Sequence, residues 1–365
     1  MQDILQEMSM LVDEFGSAPK IEEMPRRTLA DKGICGPTAA HVIEEVHTPL
    51  NLAYLTFTTG SSAFQNIVGV THAELPERIQ AGKKALALAG IKAGDRLLFT
   101  YPPLVNVFSK QALDEYGVSW TFLKRSSRDA FLVALYEEQP QVVIGESSFL
   151  RVAVEDAKSI GILAQLPQAL IMLTAGTPLD LELLSVVDKY LPAAKVHDLY
   201  GCQEFGWLAL NGELLRDDIL LVPSCGNDSG EFEVVVGGLP MGDAFPVASS
   251  GHVCNNNGKL ITYRRRRSYP EYEVLVRQTT LSSAVTVERA ARSILRIKAR
   301  VVKVPPDVVT GAEHTVLELV PALGETELRI KICGPEKTKM FDSLVQAQLD
   351  YQQSSKADPV WIKRR

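Results

Sequence analysis

The chain has 365 residues, 46% hydrophobic and 22% charged, and its 38 basic and 44 acidic side chains leave a formal net charge of -6. That length exceeds one typical core and fits a large domain with a smaller companion, and the composition is that of a folded soluble protein. The acidic balance argues against wholesale binding of nucleic acid or anionic membrane, so a small-molecule partner is expected.

In chain order, MQDILQEMSMLVDEFG reads as an amphipathic helix broken by acids every few residues, without the basic flank and apolar core of a signal peptide. No apolar run reaches the roughly 18 residues a bilayer span needs, and a cytoplasmic protein is expected. The five cysteines (Cys35, Cys202, Cys225, Cys254, Cys333) are scattered and form no C-x-x-C pair, which suggests neither a disulfide framework nor a structural zinc site. LAYLTF (52–57) is a strand candidate, TTGSSAFQNIVGVTH (58–72) a hydroxyl-rich loop, and HAELPERIQAGKKALALAG a helix.

Between Arg96 and Leu199 short apolar runs alternate with longer amphipathic ones: RLLFTY, LVNVFSKQALDEYG, VSWTFL, RDAFLVALYEEQ, QVVIG, FLRVAVEDAKSIG, ALIML, PLDLELLSVVDKYL and AKVHDL. Strands joined through helices run parallel, so this third of the chain predicts an α/β layer with a buried parallel sheet, whose ligands gather at the strands' carboxyl ends. After about Leu214 the runs turn β-like: DILLVPS, EFEVVVGG, GKLITYR, YEVLVR, ILRIKARVVKV, HTVLELV and ELRIKIC; only Lys339 to Gln352 again has helical spacing. The expected organisation is a core over 1–291 with a β-rich subdomain at about 214–290, then a small α+β lid domain over 292–365.

The loop carries the densest chemical signal. Thr58, Thr59, Ser61 and Ser62 offer hydroxyls and free N–H groups, and Gly60 permits close approach, which is how phosphate oxygens are held; the same composition also serves an ordinary loop. Its register decides between them. Thr58 to Asn66, followed by Val70-Thr71-His72-Ala73-Glu74-Leu75, resembles without a gap the T-S-G-S-T-G-x-P-K-G-x-x-x-T-H-x-x-L signature of the adenylate-forming superfamily. Three further segments are similar to that family's in the same order: LTAGTPLDLELL (173–184), YGCQEFG (200–206) and GEFEVVV (230–236). The nearest branch is the phenylacetate-CoA ligase one, and the short length and eroded motifs resemble the acyl adenylases of griseoluteate-type phenazine antibiotic biosynthesis.

The resemblance implies a ligase that uses ATP and Mg²⁺ to convert an aromatic carboxylic acid, here expected to be a phenazine carboxylate, into an acyl-adenylate for CoA or a downstream reductase or other acceptor. It further implies that Thr58, Thr59, Gly60, Ser61 and Ser62 line the phosphates, that Gly176 and Thr177 pack on adenine beside Tyr200 and Gly201, and that Glu204 holds the metal, with Glu204 and Thr58 as catalytic groups. A homodimer is left open.

Departures accompany the likeness. The loop's second glycine, proline and lysine are Ala63, Gln65 and Asn66; the hydroxyl before Glu204 is Gln203. Where the family has Y-R-T-x-D, this chain has Tyr263 to Arg267, so the aspartate that grips ribose is an arginine. The family's hinge segment appears as Arg292 to Val301 with both aspartates apolar and valine for glycine, which implies a stiffer hinge. Neither Lys356 nor Lys363 has the context of the family's final lysine. Arg264 to Arg267 offer anion-binding guanidinium groups, Arg264 among the nucleotide contacts, or a charged β-edge. Tyr101, Phe108, Phe149 and Ala175 are the acyl-pocket candidates, while His72 and His197 read as structural. A fold that binds the acid without turning over ATP is the alternative, separable by pyrophosphate release; a nucleic-acid binder built on the arginine run fits worst, because no aromatic residues are interleaved with it.

Overall fold

The computed structural model describes residues 2–14, 52–57, 67–225, 230–253, 266–267, 270–298, 300–322 and 328–357. Helix α1 (Gln2–Glu14) precedes the antiparallel pair β1 (Leu52–Phe57) and β2 (Ile67–Thr71). Helix α2 (Leu75–Leu88) has Pro76 in its first turn, where the missing N–H has no partner to lose. Then strand and helix alternate: β3 (Arg96–Phe99), α3 (Pro103–Phe108), α4 (Lys110–Tyr116), β4 (Ser119–Phe122), α5 (Arg128–Glu138), β5 (Val142–Gly145), α6 (Ser147–Ser159), β6 (Ile171–Thr174), α7 (Leu181–Tyr190) and β7 (Lys195–Cys202).

These strands lie in the order β4-β3-β5-β6-β7, all parallel, as the crossovers require. β8 (Gly206–Leu210) and β9 (Glu213–Leu214) continue the sheet antiparallel. Both faces are buried by simple alternation: Leu97, Phe99, Val142, Ile144 and Leu173 pack in one core, and Leu98, Val143 and Met172 in the other. The single helix expected over LVNVFSKQALDEYG is two. Ser109, at φ +68°, breaks it, and its Oγ accepts the Ala112 N–H at 3.2 Å to cap α4.

In the second half, β10 (Ile219–Pro223), β11 (Glu231–Val236), β12 (Leu239–Pro246) and β13 (Arg266–Arg267) form an antiparallel sheet in that order. A third sheet runs β15 (Val302–Lys303), β14 (Tyr272–Gln278), β16 (Val316–Pro321), β17 (Ile330–Cys333), and two helices, α8 (Ala284–Lys298) and α9 (Lys339–Ala357), complete this half. One expected strand is corrected: ILRIKARVVKV is helical through Lys298, and only Val302–Lys303 is extended. Val287, Ala290, Ala291, Ile294 and Lys298 are buried at helical spacing, a period that the β-branched residues of the short run concealed. GKLITYR lies outside the described residues.

Position 292 falls inside α8, and β14, which precedes it, shares its sheet with β15 to β17. Tyr200, Phe205, Val234 and Phe245 pack in the same core as Val274, Val287, Leu317 and Phe341. Among the described residues no helix is long and apolar enough to cross a membrane.

Candidate active site

The carboxyl ends of β3, β5, β6 and β7 open on a cavity of about 440 Å³, where the topology of a parallel sheet places a ligand site. Thr100 and Tyr101 follow β3, Glu146 and Phe149 follow β5, and Ala175, Gly176 and Thr177 follow β6; Gly201 to Glu204 close β7, with Trp207 from β8 and Asp243 from β12.

Of the residues expected from sequence, the fold thus brings together Tyr101, Phe149, Ala175, Gly176, Thr177, Gly201 and Glu204. Phe108 is not on the cavity surface: it is fully buried, its ring centroid 5.0 Å from that of Trp207 and 6.1 Å from that of Phe99, so it backs the wall. Tyr200 is also buried, and its hydroxyl donates to Asp243 Oδ2 at 2.8 Å, so it supports a wall residue. Thr58, Thr59, Gly60, Ser61, Ser62 and Arg264 lie outside the described residues.

Two glycines are required here for different reasons. Gly176 sits at φ +91°, a left-handed conformation that L side chains resist. A Cβ on Gly201 would stand 2.5 Å from the Gly206 carbonyl oxygen and 2.6 Å from Trp207 Cε3, so β7 and β8 could not approach as they do. Gln203, the residue that departs from the family's hydroxyl, has a structural use: its Nε2 donates to the Pro103 carbonyl at 2.9 Å and its Oε1 accepts from Thr56 Oγ1 at 2.7 Å, tying the turn to α3 and β1.

Sequence reading missed Asp243. No motif marks it, yet in the β12–β13 register it stands directly across from Arg267, the position where the family pattern has a carboxylate. The strand is pinned beside it: the Gly242 N–H donates to Glu233 Oε1 at 2.7 Å and the Glu271 N–H to Glu233 Oε2 at 3.2 Å. Burial pushes Glu233 up to about 7, against the pull of those N–H groups. Folded Glu233 therefore keeps a proton that the unfolded chain releases, and its contribution to stability falls as pH rises from the ordinary carboxylate range through about 7. Glu233→Gln is expected to flatten that slope by up to about 3 kcal/mol, read as the pH dependence of thermal unfolding between pH 4.5 and 8.

Glu146, Glu204 and Asp243 make the cavity acidic, and its described lining contains no Lys or Arg. Glu146 Oε1 accepts from Ser148 Oγ at 2.6 Å and, weakly, from Thr177 Oγ1 at 3.4 Å. A polyphosphate beside such carboxylates needs a cation between them. The donor set fits Mg²⁺, which is commonly held by one or two carboxylates together with substrate phosphates. Among the described residues no group of three or more His, Cys, Asp and Glu could hold a metal ion by itself. Cys202 also lines the cavity, and burial, with the neighbouring Glu204 charge, pushes its thiol up.

The chain is similar to several known proteins. A family model described as the MadH C-terminal domain matches residues 211–352. The curated ACP-SH:acetate ligase of Malonomonas rubra is 57% identical over 370 residues, covering 100% of both chains. Among solved structures, the amide bond synthetase McbA of Marinactinospora thermotolerans is 17% identical over 61% of this chain, with a TM-score of 0.43, and this chain spans about half (50%) of its length. The O-succinylbenzoate coenzyme A synthetase MenE of Bacillus subtilis in complex with AMP is likewise 17% identical, over 57% of this chain and 63% of its own, with a TM-score of 0.42. The end-to-end likeness to the Malonomonas ligase places the chain in the family of that ACP-SH:acetate ligase.

Proposed function

We propose that the protein adenylates a short carboxylic acid, acetate as the leading candidate, and passes the acyl group to the thiol of an acyl carrier protein. The observation that carries this reading is the convergence of the 173–184 and 200–206 segments on one cavity in a chain 57% identical from end to end to an ACP-SH:acetate ligase. An aromatic acid remains the second reading, motivated by Tyr101, Phe149 and Trp207 in the wall.

In this reading the acid's carboxylate attacks the α-phosphate, pyrophosphate leaves, and a thiol sulfur then displaces AMP from the acyl carbon as the thiol proton goes to solvent. The protein's task is placement and charge compensation. Mg²⁺, held through Glu204, would neutralise charge on the phosphates. Gly176 and Thr177 border the base, and Asp243 accepts from the ribose hydroxyls, standing in for the carboxylate absent at Arg267. Acid-dependent ATP–pyrophosphate exchange with acetate, phenylacetate and phenazine-1,6-dicarboxylate tests the acid, and thioester formation on phosphopantetheinylated carrier protein against CoA tests the acceptor. Exchange with none of the acids would overturn the reading.

The ribose assignment has its own test. Wild type is expected to lose about 10- to 100-fold in kcat/KM with 2′- or 3′-deoxy-ATP, the worth of one hydrogen bond to a charged group. Asp243→Asn should show that loss with ATP and little further loss with the deoxy analogues. Undiminished discrimination in the variant would remove Asp243 from the ribose site.

A further inference from the structure

We infer that Lys298 is a positioning residue for Glu204, acting through the backbone from the C-terminal third of the chain. The inference rests on the reading of Glu204 as the carboxylate that holds the metal. Lys298 ends α8 with its ammonium fully buried, and Nζ donates to the Glu204 carbonyl at 2.7 Å, to the Gly69 carbonyl at 3.1 Å and to Glu74 Oε1 at 2.8 Å.

It does not act alone. From α2, the buried Arg78 donates through Nη2 to the carbonyls of Gln203 and Glu204 at 3.0 and 3.1 Å. Arg216, paired with Asp218 at 2.8 and 2.6 Å, gives its remaining Nη1 to the Phe205 carbonyl at 2.9 Å. Three basic side chains from three distant stretches thus hold three consecutive carbonyls. Hydrogen bonds from charged donors in a low-dielectric interior are short and strong, so the turn is fixed from behind while Glu204 lines the cavity.

The cost of this arrangement argues that it has a purpose. A buried ion pair is commonly no more stable than apolar residues of the same size, and Val or Met at 298 could complete the packing of α8. What an apolar residue cannot do is reach the Glu204 carbonyl. Glu74 supplies the counter-charge: burial alone would raise it, but Lys298 and Arg78 hold it below the usual carboxylate range.

Because Lys298 belongs to α8, that helix becomes part of the site's support. Further ties run the same way. The Phe341 N–H donates to the Gly237 carbonyl at 3.1 Å, Lys337 Nζ to the carbonyls of Asp217 and Ile219 at 2.6 and 2.8 Å, and Lys339 pairs with Glu77 at 2.5 Å.

The test compares Glu74→Gln with the double variant Lys298→Met/Glu74→Gln, which removes both charges so that neither is left buried alone. Bound Mn²⁺ is counted by electron paramagnetic resonance with a non-hydrolysable ATP analogue, alongside thermal unfolding and pyrophosphate exchange. Glu74→Gln keeps the Lys298–Glu204 bond and is expected to bind Mn²⁺ within about twofold of wild type. The double variant is expected to melt within a few degrees of Glu74→Gln yet bind Mn²⁺ about tenfold more weakly, the effect of a lost charge-assisted bond. Wild-type Mn²⁺ affinity in the double variant overturns the inference, as does an equal loss in both variants that follows their melting temperatures. If wild type exchanges pyrophosphate with no acid while the double variant still loses Mn²⁺, the proposed function falls and the positioning role stands.

Discussion

Glu204→Gln is expected to leave the fold and its melting temperature nearly unchanged and to lower acid-dependent pyrophosphate exchange by about 10²- to 10³-fold, the scale seen when one preorganised transition-state contact is removed. Stability should largely survive because the main chain of Glu204 carries the strongest ties, its carbonyl being taken by Arg78 and Lys298, while the side-chain bond to Cys202 can be kept by an amide oxygen. Activity should not survive, because in the proposed reading Glu204, which lines the cavity, supplies the hard oxygen donor, and an amide oxygen is a weaker ligand for Mg²⁺. Glu146→Gln is the matched control. Its carboxylate is engaged by Ser148 and Thr177, so a smaller loss is expected. Equal losses in the two variants would move the metal to a site they share, and no loss in Glu204→Gln would remove it from the turn.

The parallel sheet was legible because its inner strands β3, β5 and β6 are short runs packed on both faces and bounded by turn residues, a pattern that survives in one dimension. The cavity followed from topology, and the Gly176–Thr177 and Gly201–Glu204 segments from family register. What sequence could not supply were groups whose role depends on strands far apart in the chain. Asp243 matters through cross-strand pairing with Arg267 and a bond from Tyr200. Lys298 was visible inside the Arg292 to Val301 segment, yet its partners Gly69, Glu74 and Glu204 lie more than 90 residues earlier. The helix that carries it was mistaken for strand because ILRIK shows too few turns to reveal its period. Phe108 and Tyr200 are buried and do not line the cavity, a difference of one packing layer that sequence spacing does not show.

The glycines give the last large effect and separate two kinds of constraint. Gly201→Ala is expected to cost about 1–3 kcal/mol, the range of overpacking in a dense interior, and to abolish most activity. The new methyl would meet the Gly206 carbonyl at 2.5 Å, Trp207 Cε3 at 2.6 Å and Trp207 Cα at 2.9 Å. Two of these are backbone atoms that no rotamer change can move, so β7 and β8 must separate at the bulge between Tyr200 and Gly201. The turn carrying Gln203 and Glu204 begins just beyond it. Gly176→Ala meets no protein atom within 4 Å and is strained only by its φ of +91°, a cost of about 1–2 kcal/mol that the loop can relieve by shifting. The expected result is a larger fall in melting temperature for Gly201→Ala, with Mn²⁺ affinity lost in that variant and largely kept in Gly176→Ala, whose defect should lie in the KM for ATP. If the two variants melt alike and share one kinetic defect, close approach of β7 to β8 is not what fixes the Glu204 turn, and the buried cations behind it would have to do so unaided.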